Sequence, residues 1–235
     1  MGVVAAATIF GGPMLFRSLP SVGGSLLSAV IPSVVWHVRT KRQLVALTFD
    51  DGPDEHITPG LLDALGRNGA RATFFVIGER VPGNEAMVRT IIAAGHELGN
   101  HLMTEEASIG QSTDRFEDQL LAADAILRRF GPIRYFRPAS GWFTPAMLRQ
   151  AKVHGYRCVL GTVTTFHSRV LNPQRTARRL LRWIAPGSIV ILHEGKAERR
   201  GVIALTEAIL SDLTRRGYTA VTLSDLLAAT RPSNR

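Results

Sequence analysis

The sequence predicts an α/β fold, a parallel sheet of about seven strands curled into a barrel or barrel-like layer, and three observations carry the prediction. From residue 44 onward, short β-rich runs alternate with amphipathic helical stretches, with no repeat or low-complexity segment between them. Proline and glycine punctuate these stretches where a helix start and a helix stop favour them. Polar side chains able to do chemistry end four of the expected strands, the face of a βα barrel where reactive groups gather.

Taken in order, residues 1–31 read as an apolar leader. Residues 2–16 and 21–36 carry no charge, and only Arg17 lies between the two runs. Each is shorter than the roughly 20 residues a spanning helix needs, and glycine and proline interrupt both. No basic residue precedes Arg17, unlike the start of a secretory signal peptide. The leader favours a membrane-associated or extracytoplasmic chain. Residues 32–230 are expected to form the folded domain, with 33–38 as a first, edge-type strand, and 231–235 a short basic tail. The seven strands are expected at 44–50, 72–77, 96–100, 134–137, 157–161, 188–193 and 219–222. Thr58-Pro59, Thr144-Pro145 and Asn172-Pro173 each place a capping side chain before a proline suited to the first helical turn. Gly69, Gly95, Gly131, Gly155 and Gly217 follow the helical stretches, where a left-handed residue is wanted.

With 45% hydrophobic and 20% charged residues in 235, the chain is long enough to bury a substantial core. The lone Cys158 sits in an apolar stretch and packs as a small hydrophobe. The net charge is +9, and of 28 basic residues only Lys41, Lys152 and Lys196 are lysine. Arg175, Arg178, Arg179 and Arg182 recur at helical spacing. That stripe is either a solvated helix face or a face attracted to an anionic surface such as lipid headgroups. No aromatic residues interleave it, which argues against nucleic acid.

The most informative residues are Thr48-Phe49-Asp50-Asp51-Gly52-Pro53. They set two adjacent carboxylates where an apolar strand breaks into a turn, so that both can be aimed at one pocket, one for a metal and one for protons. His101 and Glu105, four residues apart, would point to one side of a helical turn and suit two ligands of one ion. With Asp51 they supply an Asp, His, Glu set that leaves an open position for water. His193 ends the apolar run 189–193, and a histidine there can donate a proton to a leaving group near neutral pH. Arg137 either holds a neighbouring carboxylate ionised or braces its loop.

The motif of residues 48–53, followed in order by Gly95-His96-Glu97-Leu98-Gly99-Asn100-His101, Arg137-Pro138 and Leu192-His193, resembles the polysaccharide deacetylases with a NodB-type domain, carbohydrate esterase family four. The resemblance spans roughly residues 44–227. It implies a distorted (β/α) barrel and a metal-dependent hydrolase that removes acetyl groups from N-acetylated sugars. It also implies Asp50 as general base, Arg137 as the residue that tunes it, His193 as general acid, and Asp51 and His101 as metal ligands. The ion expected is divalent, zinc first, with other divalent transition metals as alternatives.

Three positions depart from the family pattern. Glu105 stands where a second histidine is usual, which makes the ligand set harder and shifts its preference away from zinc. Ser140-Gly141 replaces a Tyr-Gly pair, although a backbone N–H near Ser140 can still serve an oxyanion. After Gly161 the usual acid and tryptophan are missing, so Trp142 or Phe166 is expected to wall the acetyl pocket, and His193 lacks an orienting carboxylate. Two rival readings follow: a metal hydrolase of a lipid-linked sugar or small amide, and a catalytically impaired carbohydrate-binding protein.

Overall fold

The computed structural model describes residues 30–165 and 170–230. The leader expected at 1–31 lies almost wholly outside the described residues, as do the tail at 231–235 and Phe166.

The run Leu44–Gly52 contains no exposed residue, as a strand covered on both faces requires. It forms β2 (Leu44–Gly52), and it is the hub of the sheet. β8 (Ile189–His193) pairs it from Ala46 to Asp50, β9 (Thr219–Val221) pairs its first residues, and β3 (Thr73–Val76) its last. Beyond β3 come β4 (Glu97–Asn100), β5 (Tyr135–Phe136), β6 (Arg157–Val159) and β1 (Val34–Val35), while β7 (Val163–Thr164) lies outside β8. All of these pairings are parallel. An antiparallel bridge between His37 and Ser188, with the Val38 N–H donating to the Gly187 carbonyl at 3.0 Å, draws the chain after β1 against the start of β8. The sheet is thereby curled, the distorted barrel expected from the sequence. All seven expected strands are present. The strand expected at 33–38 is reduced to Val34–Val35 at the end of the strand order, and β7 is an addition too short to show a period.

The helices are α1 (Thr58–Arg67), α2 (Glu85–Ala93), α3 (Thr113–Leu127), α4 (Pro145–Val153), α5 (Pro173–Leu181), α6 (Gly201–Arg215) and α7 (Leu223–Ala228). Alternation along the strands splits the interior into two layers. Val45, Leu47, Phe49, Phe74, Leu98 and Val190 join the larger core with residues of the surrounding helices. Ala46, Phe75, Tyr135, Val159 and Ile189 face the inside of the curl, where Leu223 and Leu226 of α7 plug one end. The same alternation carries the inner rows upward to Asp50 on β2 and His193 on β8, and to Arg137 just beyond β5. Inside residues at the foot of the curl are therefore apolar, and those at the carboxyl ends are ionisable.

Two local expectations are corrected. Thr144 and Asn172 cap α4 and α5, through Met147 N at 3.2 Å and Arg175 N at 2.9 Å, but Thr58 does not cap α1. It already lies inside the helix. Its hydroxyl accepts from Asp54 N at 2.8 Å and donates to Glu194 at 2.5 Å, a use no capping rule anticipates. Residues 101–105 likewise form no helical turn, because Leu102 is left-handed (φ 69°) and its N–H is taken by Asn100 Oδ1 at 2.8 Å. Arg175, Arg178 and Arg179 on α5 and Arg182 just past its end are exposed, while Ala177, Leu180 and Leu181 are buried. Among the described residues no helix is long and apolar enough to cross a membrane.

Gly99 makes one close approach in the sheet. A Cβ there would lie 2.6 Å from Cδ1 and Cε1 of Phe75, the ring on which Arg137 rests with its guanidinium carbon 4.0 Å from the centroid. Gly99→Ala is expected to lower stability by about 1–3 kcal/mol through overpacking, read as a shifted urea midpoint with an unchanged slope.

Candidate active site

Neighbouring residues of a strand normally face opposite ways. Asp50 and Asp51 escape this because β2 is bulged between them and β3: Asp50 aligns with Phe75 and Gly52 with Val76, leaving Asp51 as the extra residue with φ 70°. A left-handed non-glycine residue costs about 1–3 kcal/mol. The other two among the described residues, Leu102 and Ser140, lie in loops around the same pocket, at φ 69° and 63°. The pocket has a volume of about 400 Å³ and is lined by Asp50, Asp51, His101, Arg137 and His193, with Ser140 and Gly141 on one side and Leu160 and Ile191 as apolar wall. Four of the elements bearing these groups are stitched together beyond the sheet ladder. Glu194 N donates to Asp50 O at 3.0 Å, His101 N to Val76 O at 2.9 Å, and Arg137 N to Asn100 O at 3.0 Å.

Arg137 is wholly buried and ion-pairs with Asp50 through Nη1. It also donates to Thr48 Oγ1 at 2.9 Å and to the Val159 carbonyl at 3.0 Å, so it both faces the carboxylate and braces the strand ends. Burial pulls its pKa down and the charge of Asp50 opposes this, and a guanidinium stays protonated in either case. His193, the register partner of Asp50 on β8, lines the same pocket. Burial lowers its pKa, against the charges of Asp50 and Asp51, and its Nδ1 has no hydrogen-bond partner among the described residues.

Asp51 meets His101 Nε2 at 3.1 Å through one oxygen and Arg199 Nη1 at 2.5 Å through the other. Burial would raise its pKa, but the hydrogen bond and charge of His101, with His193 and Arg199, hold it well below the carboxylate range. His101 donates from Nδ1 to the Arg137 carbonyl at 2.8 Å. Burial opposes charge on this ring, yet Asp51 and Asp50 outweigh it and raise its pKa.

Glu105 lines the same pocket but does not close with these two into a ligand set. Its carboxylate is held by Lys196 at 2.7 Å, Arg80 at 3.1 Å and Arg199 at 3.5 Å. Among the described residues no three His, Cys, Asp or Glu side chains cluster as they would around a metal ion. Trp142 is half-buried and outside the pocket lining, and Phe166 falls outside the described residues. Arg199, Arg80, Lys196, Leu160 and Ile191 have no motif that would single them out. Glu194, next to His193, does have that signal.

Glu194 is fully buried, with Thr58 Oγ1 at 2.5 Å from Oε2 and no partner for Oε1. Gly52 makes room for it, since a Cβ there would stand 2.0 Å from Oε1. Burial pushes its pKa up to about 8 against the Thr58 hydrogen bond. Folded, Glu194 thus keeps its proton to about pH 8; unfolded, it loses it near the ordinary carboxylate value of about 4.3. The folded chain holds the extra proton between these values, so stability falls as pH rises through that window. From pH 6.5 to 8 this group is expected to remove up to about 1.4 kcal/mol per pH unit, and Glu194→Gln is expected to flatten that part of the slope in urea melts.

Residues 37–159 match the family model for polysaccharide deacetylases. The chain is 35% identical over 198 residues to a peptidoglycan-N-acetylglucosamine deacetylase of Bacillus cereus, covering 83% of this chain and 92% of that protein. Its fold matches the crystal structure of the Bc1960 peptidoglycan N-acetylglucosamine deacetylase bound to 4-naphthalen-1-yl-N-oxidanyl-benzamide, with a TM-score of 0.81 at 27% identity over 86% of this chain and 96% of that one. It also matches a family 4 acetyl xylan esterase from Clostridium thermocellum in complex with a cobalt ion, with a TM-score of 0.74 at 29% identity over 79% and 90%. Family members are generally metal-dependent. The residues of this chain do not fit such an ion as they stand, because Arg199 occupies one oxygen of Asp51 and both oxygens of Glu105 are engaged by Arg80, Lys196 and Arg199. The motifs, the curled parallel sheet and the matched relatives agree: the chain belongs to the polysaccharide deacetylase family and is an enzyme of deacetylase type.

Proposed function

We propose that the enzyme hydrolyses the acetamide of N-acetylated sugars in a polysaccharide, with N-acetylglucosamine units of a peptidoglycan-like glycan as the first substrate class. The carrying observation is the pairing of Asp50 and His193 as register partners on adjacent parallel strands, both on the pocket wall. Neighbouring strands run about 4.8 Å apart, which brings a base and an acid within reach of one acetamide. The peptidoglycan relative named above supports the substrate class.

In this reading Asp50 takes the proton of the attacking water, and Arg137 beside it aims the carboxylate. Leu160 and Ile191 receive the acetyl methyl, and the loop carrying Ser140 meets the sugar at the rim. His193 delivers a proton to the departing amine. Nothing in this scheme passes through a metal ion.

The test is acetate release from N-acetylglucosamine oligomers and peptidoglycan fragments. Asp50→Asn keeps an oxygen to accept from Arg137 and is expected to lower kcat by about 10²–10⁴-fold, while unchanged turnover would refute the assignment. Because burial lowers the pKa of His193, the protonated acid is lost below the ordinary imidazole value. The basic limb of the pH–rate profile is therefore expected below about pH 6.5, and a limb well above that value would remove His193 from the role of acid.

A further inference from the structure

Arg199 belongs to none of the motifs that identify the family, yet it occupies the centre of the site. It is 7% exposed, and its Nη1 reaches both Asp51 Oδ2 and the Glu194 carbonyl at 2.5 Å. Its Nη2 turns to Glu105 Oε1 at 3.5 Å. We propose that the Arg199 guanidinium is the built-in cation of the Asp51–His101 pair, taking the place a divalent metal holds in relatives, so that this enzyme takes up no divalent ion there. The proposal rests on the deacetylase reading only where turnover is measured.

Three observations support it. The Arg199 guanidinium already sits on Asp51, its Nη1 2.5 Å from Oδ2, while Oδ1 faces His101 Nε2 at 3.1 Å. The third expected ligand is already engaged: both oxygens of Glu105 are ion-paired, with Lys196, Arg80 and Arg199, so binding an ion there would mean giving up those pairs. The carboxylates are also matched without an ion. Asp50, Asp51 and Glu105 face Arg137, Arg199, Arg80 and Lys196, so a dication would enter a site whose carboxylates are already matched. Arg80 fixes the arrangement from the other side, donating to the carbonyls of Asp51 and Gly195 at 2.5 Å each.

The experiment is metal uptake by the full chain, incubated with zinc or cobalt salts, desalted and assayed for metal content, beside acetate release with and without chelator. The wild type is expected to retain well under one equivalent, and any acetate release to be unchanged by chelator. Glu105→His/Arg199→Ala restores an Asp, His, His set and is expected to retain about one equivalent of zinc, lost again on adding His101→Ala. If the double variant fails to fold, the wild-type measurement decides alone. About one equivalent bound by the wild type and abolished by Asp51→Asn would overturn the proposal, as would acetate release that chelator stops and zinc or cobalt restores. A wild type that neither binds metal nor releases acetate leaves this proposal standing and removes the catalytic reading.

Discussion

Two adjacent carboxylates, buried at the end of the most enclosed strand, are the constraint on which the rest of this site depends. Asp50 and Asp51 are 3% and 6% exposed, and the bulge in β2 aims both into one pocket. An unpaired buried carboxylate is costly, so each requires a cation of its own. Arg137 answers Asp50 from the β5 side, and Arg199 answers Asp51 from the segment beyond β8. Those two arginines then set further conditions. Arg137 needs the Phe75 ring beneath it, and that ring fills the space a side chain on residue 99 would occupy.

The acid side follows the opposite logic. His193 shares the pocket with Asp50 and Asp51, whose charges favour its protonated form, but Arg199 opposes that and burial dominates. In relatives with an orienting carboxylate the balance would shift towards the imidazolium. Here the residues after Gly161 supply none, and β7 instead carries Val163 and Thr164 past the pocket. Asp50 is thus held by its arginine partner, whereas the pKa of His193 is governed by its burial.

The sequence made the strand ends legible because they depend on local pattern. Apolar runs closed by Asp50-Asp51-Gly52, by Asn100-His101, by Arg137-Pro138 and by His193 could each be located within a residue or two, and parallel order then brought them together. Contacts that depend on loop backbone were not legible. Glu105 looked like a ligand because spacing of four implies a shared helical face, and a left-handed Leu102 breaks that inference without any glycine to announce it. Arg199 and Arg80 were hidden among an abundance of arginines, where composition gives no ground for choosing one. Thr58 read as a cap, because nothing in its neighbourhood indicates a buried Glu194 seeking a donor 136 positions away.

Glu105 and Arg199 make sense only together. A glutamate alone at this position would add a third carboxylate to Asp50 and Asp51 and raise the electrostatic cost of the fold, unless a cation came with it. An arginine alone, pressed against Asp51, would compete with any ion for the oxygens that bind it. Paired, each removes the other's cost: the guanidinium bridges Asp51 and Glu105, and Lys196 and Arg80 complete the screen around the glutamate. Such an exchange conserves the positive charge at the centre of the site while changing its source from a bound ion to the chain itself. It also changes what that charge can do. A guanidinium donates hydrogen bonds in a fixed plane and offers no coordination position to water. On the proposed reading, activation of the nucleophile falls to Asp50, and the geometry that Arg137 imposes on it becomes correspondingly more important.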